Sequence, residues 1–542
     1  MANDAKTNGK KLWNVMIYLA GENNLAEECV FALKEMKRAR PRRQNGSNSL
    51  TDSEVDRLVK VVAQLDAGGL GGNEVRYILR RGDRDGHLQQ DEITRRDTTE
   101  TTYRGVLKDF ISSSIVLDGL AEHYMVALSG HGGGPNSDFL SRDIETPDTL
   151  SIPKIQWVLR EVKQDLEETF GNLVADDFKI DVLGLDSCMM SNAEIGYELR
   201  NYVRFMVGAE GFEPNMGWPY ERILSAILSN PKTEPRDLVL QIVERYVNFY
   251  SDFVPAGRSV DQAACDLSKC DDLAKAIKKL ADALTEGLKD TDTLRQIVLA
   301  HWEAQSYKDD QYVDLWDFCD LLDRGPAEPP KYTPPKGPPV TGSVVMSGLT
   351  VPTYIRDACR EVKTVLTGGP NKVSDSSANQ AMVLLSCYSG PAVQYSHGLS
   401  VYFPWSNVVE SYKDLEFADD TNWRSFLLKY VELTRRDKRV CPYAAEAGAG
   451  ANGVVTGKLF FDPSVSGFDF LMTGNNKDTP KVNRILSNKV GTMKNPAIDY
   501  VPCKCPVRYV TNSAPTRGVS KVQEKSATKA VSSKSTKGRS KE

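Results

Sequence analysis

Over the first 220 residues, short runs in which nearly every position is apolar alternate with longer stretches in which polar residues interrupt the apolar ones. The runs at 13–20, 58–66, 124–129 and 180–186 are strand-length, and such continuous apolar runs suit strands buried on both faces. The stretches at 22–40, 102–120 and 152–169 read as helices. Strands alternating with helices predict an α/β fold with a largely parallel central sheet and crossover helices flanking it. Residues 77–88, interrupted by Gly82-Asp-Arg-Asp-Gly86, predict a hairpin, and 205–214 a further strand and loop. Helical stretches follow from 220 to about 322, then strands at 381–386 and 398–403 and a closing helix near 421–434.

Breaker-rich segments punctuate this pattern. Residues 326–341 are too proline-dense for helix or central strand and read as an extended loop. Residues 38–46 form a basic loop that suits either a solvated surface or a docking patch. We therefore expect a core with its sheet over 12–225, a second part of the same unit over 226–435, and a small appended unit at 440–510 with short apolar runs. The Lys/Ser/Thr-rich tail at 511–542 holds almost no core-forming residues, so disorder is expected there. That tail is either a solvating segment or a contact for an acidic partner.

With 542 residues, 40% hydrophobic and 26% charged, the chain has ample material for a core. Its net charge of −5 argues against nucleic acid as the main partner. No stretch approaches the roughly 18 apolar residues of a membrane span. The polar first ten residues do not resemble an export signal, which predicts a cytoplasmic protein with reduced thiols among its ten cysteines. Cys503 and Cys505 lack zinc-knuckle spacing, so no metal site is expected from them.

Two runs end in reactive side chains: Tyr124-Met-Val-Ala-Leu-Ser-Gly-His-Gly-Gly-Gly134 and Ile180-Asp-Val-Leu-Gly-Leu-Asp-Ser-Cys-Met-Met190. In open parallel sheets chemistry collects at the carboxyl ends of strands. His131 and Cys188 stand 57 residues apart (188 − 131), close to the roughly 50-residue spacing in caspases. A cysteine near its ordinary pKa of about 8.5 needs an imidazole or positive electrostatics to become a thiolate, and His131 is the natural partner. The Gly132 N–H can meet an oxyanion. Residues 189–199 read as a helix capped by Ser191 or Asn192, whose amino terminus would favour the thiolate. His397 precedes a strand with no glycine loop behind it and reads as structural.

At these residues the sequence resembles the clostripain family of cysteine peptidases, in the clan of caspases, legumain, gingipains and separase. Trp13-Asn-Val-Met-Ile-Tyr-Leu-Ala-Gly-Glu-Asn-Asn-Leu25, Gly217-Trp-Pro-Tyr220, Tyr312-Val-Asp-Leu-Trp-Asp-Phe318 and Gly398-Leu-Ser-Val-Tyr-Phe-Pro404 also resemble family segments. The resemblance implies a caspase-like fold, His131 as general base, Cys188 as nucleophile, and the N–H groups of Gly132 and Cys188 as oxyanion donors. It implies Asp186 at the floor of a pocket selecting Arg or Lys before the cut, where a carboxylate meets the substrate's cation. Asp186 could instead support the nucleophile's turn. Glu210 and Glu213 fall where relatives have pocket walls, or are loop acids in solvent.

The resemblance further implies a protein or peptide substrate, self-processing between the dyad residues with Arg142 and Lys154 as candidate cut sites, and calcium as a possible requirement. Many relatives are secreted. The sequence itself shows no cofactor. Two other readings stay open: a caspase-like scaffold that binds without turnover, its C-terminal region engaging a regulatory partner, and a clan peptidase cutting after Asp or Asn.

Overall fold

The computed structural model describes residues 10–42, 50–66, 73–81, 88, 91–97, 103–135, 150–251, 259–307, 311–324, 351–368, 381–405 and 407–436. By its contacts the chain divides into residues 1–509 and 510–542, and every described residue belongs to the first unit. The strands are β1 (Trp13–Ala20), β2 (Val59–Asp66), β3 (Asn73–Ile78), β4 (Glu92–Asp97), β5 (His123–Ser129), β6 (Ile180–Asp186), β7 (Val203–Gly208), β8 (Val260–Asp266), β9 (Ser306–Tyr307), β10 (Tyr312–Asp314), β11 (Val383–Ser389) and β12 (Ser400–Tyr402).

Nine of them form one sheet in the order β11-β8-β7-β6-β5-β1-β2-β3-β4. Its centre, β7 to β2, is parallel, and antiparallel strands extend it at both sides. The expected α/β architecture is therefore present. Strand β1 explains the apolar runs: its side chains alternate between faces, and both faces are covered. Met16, Tyr18 and Ala20 join one core, while Trp13, Val15, Ile17 and Leu19 join the other. Helices Tyr103–Val116 and Ile152–Phe170 supply the first core, and Ala26–Arg38, Tyr220–Ser229 and Pro235–Tyr250 the second.

Three local expectations change. The hairpin strands lie further apart than 77–88, because β3 pairs with β4 and Tyr77 faces Glu92. Within the stretch expected to be helical, β8 joins the sheet and β9 and β10 join β12 in a three-stranded sheet. The residues after Cys188 do not enter a helix at once. Met189 takes φ +58°, an unusual conformation for a bulky side chain, and the helix spans Ala193–Leu199 with Asn192 as its cap. The appended unit at 440–510 and the 511–542 tail lie outside the described residues, as does the proline-dense 326–341 segment.

Candidate active site

Register brings the two sequence motifs together. Strands β5 and β6 are parallel neighbours with Ser129 opposite Asp186, so the residues two positions beyond each, His131 and Cys188, leave the same edge of the sheet. The Gly130 N–H donates to the Asp186 carbonyl at 3.2 Å. At Gly132 a Cβ would stand 2.5 Å from the Cys188 carbonyl oxygen, so this close approach requires glycine. His131, Cys188, Asp186, Ser129, Glu213 and Gly217 all line one cavity of about 40 Å3.

Each catalytic candidate is held by chain remote in sequence. The Asn24 side-chain oxygen lies 2.5 Å from His131 Nε2 and fixes the ring. The His131 loop is pinned where the Tyr312 hydroxyl, from β10, donates to the Gly133 carbonyl at 2.7 Å. The Cys188 turn is latched to the chain beyond β7: the Met189 N–H donates to the Gly211 carbonyl and the Ser191 N–H to the Ala209 carbonyl. Asp261, on β8, accepts the N–H groups of Glu210 and Gly211 at 2.7 and 3.0 Å, which anchors that chain in turn.

Burial pushes the Cys188 thiol above its ordinary pKa; the Glu213 N–H, 3.3 Å from Sγ, draws it back and the nearby Asp186 carboxyl raises it. The donor at the sulfur is thus a loop amide, in place of the helix amino terminus anticipated from sequence. Asp186 is buried at 3% exposure, and its Oδ2 accepts the Tyr220 hydroxyl at 2.8 Å. Glu213 Oε1 accepts the Gln262 side-chain amide at 3.1 Å. Gly217, at φ +63°, sits where a Cβ would lie 2.8 Å from an Asp186 carboxylate oxygen, so any side chain there would crowd this acid.

Glu210 is elsewhere. It is fully buried, is not among the residues lining the cavity, and its Oε2 accepts the Gly398 N–H at 2.7 Å. Lys154 lies in the first turn of helix Ile152–Phe170, and Arg142 lies outside the described residues. His397 is bound to Asp314 through both its N–H and its ring and stacks on Trp316. The sequence reading passed over Asn24, Tyr220, Gln262 and Tyr312. Three of them stand within its family-like segments, but only the fold shows what each touches.

The Clostripain family matches the chain over residues 17–327. The chain belongs to this family. It is a cysteine peptidase, and peptides or proteins are its substrates. No curated protein matches it. Among solved structures, a secreted C11 cysteine protease from Bacteroides thetaiotaomicron in complex with an irreversible peptide inhibitor is similar: 17% identical, TM-score 0.51, covering 76% of this chain and 99% of that one. An inactive zymogen C11 protease from Parabacteroides distasonis is 17% identical with a TM-score of 0.46, over 76% of this chain and 98% of that one.

No helix of the described residues is long and apolar enough to cross a membrane. Among the described residues, no group of three or more His, Cys, Asp or Glu side chains is placed to hold a metal ion. Reduced thiols were expected throughout; Cys29, Cys188, Cys265, Cys270, Cys319 and Cys359 are free, whereas Cys387 is disulfide-bonded.

Proposed function

We propose that this clostripain-family peptidase is an endopeptidase that cuts after Arg or Lys through a Cys188–His131 dyad. The observation carrying the reading is the register of β5 with β6, which sends both side chains from one sheet edge into a shared cavity. Burial keeps the resting Cys188 protonated, so His131 removes the thiol proton as the sulfur attacks the scissile carbonyl. Among the described residues, the N–H groups of Gly132 and Cys188 donate to no backbone carbonyl, which leaves them for the oxyanion. The amine leaves with the proton from His131, and water then hydrolyses the acyl-enzyme.

Asp186 supplies negative charge beneath the cavity, and Glu213 adds a second carboxyl there. The test is a peptide set that varies only the residue before the cut. Arg and Lys peptides should exceed neutral, Asp and Asn peptides by at least about a hundredfold in kcat/KM, as loss of a buried ionic partner implies. Equal rates, or preference for Asp or Asn, would overturn the specificity.

We further propose self-processing between the dyad strands, with Arg142 first and Lys154 second as cut sites. A 40 Å3 cavity admits only a few water molecules, so a long basic side chain needs the surrounding loops to open. Lys154, inside a helix, is the harder of the two to thread into a cleft. Peptide mapping of wild type beside Cys188→Ala should find the Arg142 cut only in the wild type. A single uncut, fully active wild-type chain would remove processing from the mechanism.

A further inference from the structure

Two acids meet under the nucleophile, and each is left with an oxygen that nothing satisfies. Asp186 uses Oδ2 to accept from Tyr220, and Glu213 uses Oε1 to accept from Gln262. Their other oxygens, Asp186 Oδ1 and Glu213 Oε2, are shut off from solvent and have no hydrogen-bond donor. The two carboxyl groups are nonetheless within side-chain hydrogen-bonding reach of each other. Buried unpaired acceptors are costly, and two close carboxylates cannot both ionise without strong repulsion. One hydrogen between the orphaned oxygens removes both penalties.

We infer that Asp186 and Glu213 hold a single proton between them while the pocket is empty, and that a Lys or Arg side chain entering the pocket displaces it to solvent. The charge balances: two carboxylates plus one proton carry −1, and two carboxylates plus one ammonium or guanidinium carry −1. This rests on the Arg/Lys reading and adds a regulation to it, since the affinity for basic substrates becomes coupled to pH.

The surroundings favour the protonated pair. Burial raises both acids; the Asp186 charge and hydrogen bond raise Glu213 further, while the hydrogen bond from Glu213 draws Asp186 back, the pattern of a proton carried on Glu213 and donated to Asp186. The groups facing the pair are Tyr220, Ser129 and the Trp218 backbone N–H against Asp186, and Gln262 and Cys188 against Glu213; no Lys or Arg is among the main influences on either. Cys29, from helix Ala26–Arg38, and Tyr246, from helix Pro235–Tyr250, also feel these acids, and both are pushed up by burial first and then by the carboxyls. Asp261 adds negative charge near Cys188 and Tyr246. His131 is a second proton carrier in the same cavity, so any test must separate it from the acid pair.

Since the free pocket holds a proton that the occupied one lacks, binding strengthens as pH rises, approaching tenfold per unit until the free pair loses its proton. A peptide with citrulline in place of arginine has the same shape without the charge and leaves the proton where it is. The full chain carrying Cys188→Ala, first matured in trans by wild-type enzyme and then repurified, binds these peptides without cutting them, which keeps thiol ionisation out of the readout. Calorimetry in two buffers of different ionisation enthalpy should find about one proton released per arginine peptide and about none per citrulline peptide. Adding His131→Ala to this chain removes any contribution from His131, which the uncharged citrulline peptide would not reproduce.

Adding Glu213→Gln should abolish the release and flatten the pH dependence of arginine binding. Should that variant not fold, the comparison of the two peptides on the Cys188→Ala chain decides alone. Tighter arginine than citrulline binding with no proton released overturns the shared proton and leaves the specificity standing. Undiminished release after Glu213→Gln overturns it as well. Equal binding of the two peptides at every pH overturns the Arg/Lys reading itself, and the inference with it.

Discussion

Cys188→Ala is expected to lower kcat/KM by about 10⁴-fold or more, to background, while the protein stays folded. A factor of 10⁴ corresponds to about 5.5 kcal/mol of transition-state stabilisation, the scale of losing a covalent route. The fold should survive because the side chain is only partly buried and its sulfur has few ties: the Glu213 N–H at 3.3 Å and a long contact to the Glu213 carbonyl at 3.8 Å. The turn itself is held by backbone bonds from Met189 and Ser191, which alanine does not touch. Steady-state kinetics, with thermal unfolding as the control, make the measurement. Retained turnover would sink the assignment of the nucleophile, and a thiol-directed reagent that still labels the variant at the site would do the same.

Asp186→Asn is expected to reduce cleavage after Arg and Lys by about 10²- to 10⁴-fold, the consequence of roughly 3–5 kcal/mol when a buried charge loses its partner. Asparagine preserves the shape, and its side-chain oxygen can still accept from Tyr220, whose hydroxyl now reaches the carboxylate at 2.8 Å. What disappears is the negative charge at the base of the cavity. Acylation by a small, unselective thiol reagent should therefore change much less than cleavage after basic residues. An equal fall in both would mean that Asp186 serves the nucleophile's turn, which begins two residues later.

The parts of the site that could be read from the sequence are those built within one strand and its exit. A mostly apolar run predicts a buried strand, and a His or Cys just past its end predicts a reactive group at the sheet edge; β5 and β6 follow that logic, with His123, Ser129, Asp181 and Asp186 as their polar members. What could not be read depends on chain returning from far away. Asn24 reaches His131 across 107 positions, and Tyr312 reaches Gly133 across 179. Neither distance leaves any periodicity in the sequence. The tight turn at Met189 was hidden for another reason: local rules put Gly or Asn at positive φ, and here a buried methionine is held there by backbone bonds to Ala209 and Gly211.

Strand β8 illustrates the same limit in the fold. Val260–Asp266 mixes Asp and Gln with small apolar residues, which is a poor strand signal. Its polar residues are explained by their partners: Asp261 takes two backbone N–H groups beyond β7, and Gln262 reaches Glu213. The same two residues that weaken the strand pattern hold the loop beside the nucleophile.

The order of the large sheet sets how the catalytic geometry can be lost. Strand β5 is the middle of nine and β6 its neighbour, so three strands shield β6 on one side and four shield β5 on the other. Local opening spreads from edges, termini and loops, where the free-energy cost is lowest. Fraying at β4 or β11 can come and go without disturbing the alignment of Ser129 with Asp186. The amides of β5 and β6 are therefore expected in the slowest-exchanging class, and the alignment of Ser129 with Asp186, from which the His131 and Cys188 turns emerge, is as durable as the sheet itself even while those turns open for substrate.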